Sequence, residues 1–385
     1  MSAASSPVSL PPAALNTPEA RRAGALLSID LDALKANWRT CAAQALSAET
    51  GAVVKASAYG IGADKAAVAL RSAGCKTFFV ATLDEGIQLR AALGAPTPIH
   101  VFSGLMDGAE RDYTEHNLTP VLNSLGEVDA WRAFCTGVGE PLACDIHVDT
   151  GMARLGLPSD EMQKVIDDPD RLTHLKLDLI LSHMVAAEDT AHPCNAQQLA
   201  KFKRVLSHMP PARAALANSS AIFLSPEYHF DVTRPGVALY GVNPTPGRPN
   251  PMAQVVRLQA KILQVRTIDT PQSVGYGATH RARGRERIAT VALGYADGYH
   301  RSLSNSGLAY IGDHKAPVVG RVSMDLITLD VKDVPETLCQ PGMLADFIGP
   351  NNPVDDVAER AGTIGYEILT SLGSRFHRVY LGLET

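Results

Sequence analysis

Residues 51–62 read GAVVKASAYGIG. A short apolar run, Ala52 to Val54, stops at Lys55. Small residues, Tyr59, Gly60 and Gly62 follow, and residues 63–70 have helical character. The run is β-prone and too short for a helix, so it reads as a buried strand whose glycines turn the chain into a helix N-terminus. That places an amine, a phenol and several backbone N–H groups at the carboxyl end of a strand, where α/β folds bind ligands. An amine in a dry pocket loses part of its preference for the charged state and can attack a carbonyl to give a Schiff base. A plainer reading competes: a lysine that ends an edge strand and points into water.

Other polar residues stand where apolar runs stop. Asp149, Thr150, Met152 and Arg154 follow the fifth run, His183 the sixth, and Asn218 and Ser219 the seventh; Arg234 and Gly236 lie within or after the eighth. Singly each has a plain reading: His183 as a packed core histidine, Arg154 as a surface arginine. In a closed parallel barrel all these ends share one face, so residues far apart in sequence converge. Two glycine-flanked stretches come later, GYADGY at 294–299 and GRVSMD at 320–325. Read plainly they are two β-hairpins. Beside a histidine and an arginine, however, the Tyr295 phenol would titrate lower than usual and could serve as a base. A last stretch, GTIGYE at 362–367, reads plainly as a strand end with a core tyrosine, Tyr366.

The elements that must position these groups form a rhythm. Candidate strands cover residues 52–55, 77–81, 99–102, 119–122, 143–148, 177–182, 212–217 and 231–239, with helical stretches such as 83–93, 160–167 and 196–206 between them. A strand opens the folded sequence at about Leu26, and Asp32 can cap a helix over 33–46. Eight strand–helix units predict an α/β (β/α)8 TIM barrel. The runner-up, an open doubly wound sheet, would want a Gly-rich dinucleotide turn at its first strand, and none is present. After about Pro251 strand-like alternation dominates, at 255–268, 287–293, 316–319, 324–331 and 343–348, with one helix at 353–361. This predicts a C-terminal mostly-β domain. The division expected is a flexible N-terminal tail at 1–24, helical near 18–23, a barrel at 25–250 and a β-rich domain at 251–385.

Composition narrows the function. A chain of 385 residues suits a barrel of roughly 250 residues plus a smaller domain. The net charge is −5 with no basic cluster, so no nucleic acid partner is expected. The six cysteines show no C-x-x-C spacing, which points away from a zinc site or disulfide framework and toward a reducing cytoplasm. No apolar run reaches membrane-spanning length. Arg21 and Arg22 are not followed by an apolar run that would make an export signal.

The chain resembles the alanine racemases, pyridoxal-phosphate enzymes built from a barrel and a β domain, from about Leu26 to Leu383. AVVKASAYGIG is similar to the family's lysine motif, with Ser57 where relatives usually carry Asn and Ile61 where they carry His. DTGMARLG, RPGVALYG, GYADGY, GRVSMD and GTIGYE match further family blocks in the same order. The resemblance implies interconversion of L- and D-alanine, in cell-wall synthesis or catabolism, by a homodimer with shared sites. It implies that Lys55 forms the Schiff base and acts as base on one face, while Tyr295 of a partner subunit acts on the other. His183 would tune Tyr295, and Arg234 would face the pyridine nitrogen. The phosphate would be held by Tyr59, Ser219 and Tyr366 hydroxyls and by Gly236 and Val237 amides. Arg154 and the Met324 backbone N–H would serve the substrate.

One departure stands out. Seven residues before Arg154 many relatives carry a lysine, modified as a carbamate, that steadies the arginine. Here His147 occupies the position, and an imidazole forms no such carbamate. Arg154 is then expected to be held otherwise, by a chloride ion or a water. Rival readings are a decarboxylase of basic amino acids, a racemase acting on serine or lysine, and a cofactor-binding barrel without turnover. The first expects a partner cysteine and an acidic residue near the ring nitrogen, where Arg234 stands. The last expects a single barrel without a GYADGY loop.

Overall fold

The computed structural model describes residues 16–45 and 47–382. Seven short parallel strands pair in chain order: Ala52–Val53, Phe78–Val80, Ile99–Val101, Thr119–Leu122, Leu142–His147, Leu175–Leu181 and Arg213–Ala215. The eighth, Val232–Thr233, pairs in parallel with Glu49–Thr50, the stretch that runs into Ala52–Val53 through Gly51. On its other side Asp231 N donates to Ala214 O at 3.0 Å and Arg234 N to Ala217 O at 2.9 Å. The ring is therefore closed, as the eight-unit rhythm predicts. Phe78–Val80 and Ile99–Val101 are buried throughout, the expected character of strands covered on both faces.

One end of the barrel interior is polar. Arg213 binds Asp178 through two nitrogens and Glu49 through a third, at 2.9–3.1 Å. Buried His100 Nδ1 lies 2.6 Å from Asp145 Oδ2, and Asp145 Oδ1 accepts from Leu179 N at 3.0 Å. Burial raises the Asp145 pKa, and His100 opposes that rise. These groups link the third, fifth, sixth and seventh strands with Glu49 beside the eighth, and the buried Asp145 carboxylate is paired, as a buried charge must be.

Helices wrap the outside. Leu31–Gln44 lies over the seam where the barrel closes, against Ala63–Ser72 and the Val237–Tyr240 turn. Buried Asn37 stitches it there, donating to Leu239 O and Ala253 O and accepting from Ala253 N. Its N-cap is Asp30, whose carboxylate accepts from Ala33 N at 2.8 Å. Asp32, the cap expected from the sequence, lies two residues further on, within the first turn, and pairs with Lys35.

The second domain is built on a six-strand path: His314–Pro317, Leu308–Ile311, Leu344–Ile348, Val256–Ile268, Ala25–Asp30 and His377–Leu381. The far half of the 13-residue strand Val256–Ile268 leaves this path after a register shift and pairs with Glu286–Val291, which pairs with Ile327–Asp330. Three sequence expectations change here. Ala25–Asp30, assigned to the barrel, sits between two strands of the second sheet. The strand expected from Met324 begins only at Ile327, because Ser323 turns back on Leu326 through both its backbone and hydroxyl. The strand expected over 231–239 stops at Thr233: Pro235 has no donor for a ladder, and the chain turns at Gly236 into Val237–Tyr240.

The helix expected near 18–23 is present as Pro18–Arg22; the rest of the expected tail up to residue 15 lies outside the described residues. The six cysteines are free thiols. Among the described residues no helix is long and apolar enough to cross a membrane.

Candidate active site

At the carboxyl ends of the barrel strands lies a cavity of about 540 Å³. Lys55, Tyr59, Arg154, His183, Ser219, Arg234, Gly236, Val237 and Tyr366 all line it. These are the sequence-derived candidates from the barrel, joined by one tyrosine from the second domain. Tyr366 does not sit at a strand end, as the plainer reading had it, but on a helix, Gly365–Thr370.

Lys55 follows the first strand and opens a turn of unusual hand. Ala56, Ser57 and Ala58 have φ of 51–53° with ψ of 47–56°, and Tyr59 has φ 52°. Four consecutive L-residues are thus left-handed, a region that costs each of them about 1–2 kcal/mol. Gly60 and Gly62 continue with positive φ, and a Cβ on Gly60 would overlap Leu369 O. The turn puts Lys55 at one side of the cavity and Tyr59 at another. Burial lowers the Lys55 pKa, Arg154 and Arg234 lower it further, and Glu85 opposes them. The amine is therefore more often neutral, and more nucleophilic, than a surface lysine.

Tyr59 is fixed from below. It stacks on Tyr240 with ring centroids 4.6 Å apart, and Tyr240 Oη donates to Val53 O at 2.8 Å. A Cβ on Gly236 would overlap the Tyr59 hydroxyl, so only glycine lets the backbone reach this phenol. Burial raises the pKa of Tyr59, and of Tyr366 to about 12; both stay protonated as donors. Ser219 Oγ accepts from Gly236 N at 2.9 Å and Ala238 N at 3.3 Å. The Val237 amide has no acceptor among the described residues. Hydroxyls and amides thus ring one end of the cavity, an arrangement suited to a dianion.

Arg234 is almost wholly buried, with Nη2 donating to Ser182 O and, at 3.3 Å, to Leu216 O. Its Nε is buried without a partner. Burial brings its pKa down to about 10, with Asp145 opposing, so it remains a cation at neutral pH. Phe102 lies 5.9 Å from the guanidinium carbon. Burial, together with Arg234 and Arg154, also holds His183 down to about 3. His147 is held at about 4 by burial and Arg234, against Asp149. Arg154 sits on a loop organised by Asp149, whose Oδ1 accepts from Gly151 N, Met152 N and Ala153 N at 2.9–3.2 Å. Arg154 itself makes no hydrogen bond or ion pair to another described residue.

Tyr295 and Met324 do not line this cavity. They are 41% and 53% exposed on the second domain, far too open for a working base and substrate contact within one chain. Their loops are nevertheless one unit: Tyr295 N donates to Ser323 O and Ala296 N to Met324 O, both at 3.0 Å. A Cβ on Gly294 would overlap Met324 O. The first loop is not a hairpin tip, since Tyr295–Asp297 is a single 3-10 turn; the second does join antiparallel partners, with Val318 bridging Leu329 and Ser323 N donating to Leu326 O.

Sequence reasoning missed several residues around the cavity, among them Glu85, Phe102, Asn123 and Tyr240. For Glu85 a signal existed. Thr82 to Glu85 spell a capping box, and both of its hydrogen bonds form.

The chain matches the family models for the alanine racemase N-terminal domain over residues 29–244 and the alanine racemase C-terminal domain over residues 255–380. It is 49% identical over 364 residues to an alanine racemase from Rhodospirillum rubrum, covering 94% of this chain and 97% of that one. It is 46% identical over 360 residues to a catabolic alanine racemase from Mesorhizobium japonicum, covering 94% of each chain. Its fold matches a crystal structure of alanine racemase from Bartonella henselae with covalently bound pyridoxal phosphate. That match has TM-score 0.90 and 43% identity, over 93% of this chain and 100% of the other.

Proposed function

The chain belongs to the alanine racemase family, and from that premise we propose how its own residues interconvert L- and D-alanine. The enzyme is a pyridoxal-phosphate-dependent racemase. The residues present suit that cofactor. A lysine with a lowered pKa, a ring of hydroxyls and amides, and Arg234, whose buried Nε is orphaned, line one cavity. The orphaned nitrogen is the observation that carries the reading, since a buried donor without an acceptor demands one.

Pyridoxal phosphate, when bound, supplies an aldehyde that condenses with amines and a ring that draws electrons from the substrate Cα. Lys55 Nζ is the amine that holds it and the base on one face of Cα. Tyr59, Tyr366, Ser219 and the Gly236 and Val237 amides hold the phosphate. Arg234 would hold the ring nitrogen by donating a hydrogen bond. A guanidinium does not readily release its proton, so Arg234 would leave that nitrogen unprotonated, which would limit the ring's electron withdrawal and favour return of a proton to Cα. Arg154 takes the substrate carboxylate through its forked donors. His183, neutral at working pH, receives and orients the hydroxyl of the second base.

That second base is Tyr295 of another copy of the chain. Its exposure, and that of Met324 beside it, supports a homodimer in which each barrel mouth is completed by the other chain's second domain. Met324 N then joins Arg154 on the substrate. The test is a visible spectrum of the purified protein followed by incubation with L-alanine and resolution of the enantiomers. A yellow protein that brings alanine to an equal mixture supports the reading. A colourless protein, or a yellow one without D-alanine formation, overturns it.

A further inference from the structure

No residue in the stretch Ala56 to Tyr59 favours a left-handed conformation. Alanine and serine there would wind a right-handed helix as readily as anywhere, and glycine arrives only at Gly60. The hand must therefore come from outside the turn, and three side chains are placed to impose it. At its start, Ala56 N donates to Glu85 Oε1 at 2.7 Å. Glu85 Oε2 in turn accepts from Ala81 N at 2.8 Å, so this carboxylate is a strut between the second barrel strand and the turn. At its end, Arg378 Nη1 donates to Gly60 O at 2.6 Å and Tyr380 Oη to Ile61 O at 2.7 Å. Arg378 Nη2 is anchored on Gly373 O at 3.1 Å. Arg378 and Tyr380 are two residues apart on the strand His377–Leu381 and so share one face. Within the turn, Gly60 N returns to Ala56 O and Gly62 N to Ser57 O, both at 2.8 Å.

We propose that Glu85, Arg378 and Tyr380 are positioning residues that hold the 56–59 turn left-handed, and through it set Lys55 and Tyr59 at their two places on the cavity wall. The assignment rests on the functional reading above for its consequence, though not for its geometry. Arg378 and Tyr380 belong to the second domain's sheet, so the second domain reaches into its own chain's cofactor cradle from behind, besides lending Tyr366 at the front. Relaxation of the turn toward the right-handed form would swing Tyr59 off Tyr240 and away from Gly236. Cofactor retention should then suffer more than substrate affinity.

Two measurements separate this claim from the functional reading. Amide hydrogen exchange of residues 56–62 in the cofactor-free protein reads the turn alone. Loss of one hydrogen bond in Tyr380→Phe, or two in Arg378→Met, is expected to speed exchange at the Gly60 and Gly62 amides by about tenfold or more, with the barrel helices unchanged. Arg378→Lys, which keeps a donor, is expected to recover part of the protection. Exchange over 56–62 equal to wild type in both Tyr380→Phe and Arg378→Met would overturn the proposal. Tyr380→Phe decides alone if Arg378→Met does not fold. Dialysis of the holoenzymes then reads the consequence: the variants are expected to release pyridoxal phosphate about tenfold faster, with KM for alanine little changed. A wild-type protein that takes up no pyridoxal phosphate would sink the functional reading, while the exchange result would still decide the turn.

Discussion

His147 Nδ1 lies 2.8 Å from Asn123 Oδ1. The Asn123 amide nitrogen already donates to Phe102 O at 3.0 Å and Val121 O at 2.8 Å. Its oxygen is thus the acceptor, and the imidazole proton sits on Nδ1. Nε2 is left as a bare lone pair on a ring that lines the cavity with Arg154. No amine stands here to capture carbon dioxide. Racemase activity is therefore expected to be the same in bicarbonate-depleted and bicarbonate-supplemented buffer, with no carbamylated lysine against Arg154 in electron density. A kcat that rises with bicarbonate would refute this.

The two cavity histidines predict an acid sensitivity. Burial and neighbouring arginines hold His183 at about 3 and His147 at about 4 in the folded chain, against about 6.5 in an unfolded one. Below pH about 6.5 the unfolded state binds protons that the folded state refuses, so stability falls as pH falls toward those lower values. The pair lines an open cavity, so the loss between pH 7 and pH 5 is expected to be on the order of 1–2 kcal/mol. Urea titrations of the cofactor-free protein at the two pH values measure it, and His147→Asn should flatten the slope. An equal slope in the variant would remove His147 from the account.

Lys55→Ala is expected to abolish the visible absorbance of the bound cofactor, and racemisation with it. A yellow Lys55→Ala protein would place the reactive amine elsewhere.

Tyr295→Phe removes the proposed proton carrier without removing the ring. Racemisation is expected to fall by about 10²–10⁴-fold, while exchange of the α-proton persists from one enantiomer only. A variant as fast as wild type in both directions would end the two-base scheme.

The proposed sharing of sites between two chains makes a sharper forecast. Lys55→Ala and Tyr295→Phe chains, each inactive alone, are expected to regain activity when refolded together. A mixed dimer has one doubly altered site and one intact site, so recovery should approach about a quarter of wild type. No recovery despite proven mixed dimers would mean that both residues act within one chain.

Much of this architecture can be read in the sequence because strand ends announce themselves. An apolar run that stops at a polar residue is visible without coordinates, and eight strand–helix units imply a ring that brings Lys55, Arg154, His183, Ser219 and Arg234 to one mouth. The hand of the 56–59 turn is not visible, since its residues carry no left-handed preference and the cause lies at Glu85, Arg378 and Tyr380. The helix bearing Tyr366 spans only Gly365–Thr370, too short for a helical period to show. The place of Ala25–Asp30 was hidden for a different reason: alternation marks a strand, but names no partner.

That misplaced strand has a consequence for how the molecule is made. Ala25 pairs with Ala260 on one side, and Leu26 with His377 on the other. During synthesis the earliest of these segments to emerge must wait, unzipped, while the whole ring of strands is translated and assembled behind it. The sheet it belongs to closes only when the strand His377–Leu381 arrives. Maturation of the cradle behind Lys55 is thereby tied to synthesis of the strand His377–Leu381, and a nascent protein stalled before that strand should hold a formed barrel with an unfinished back wall.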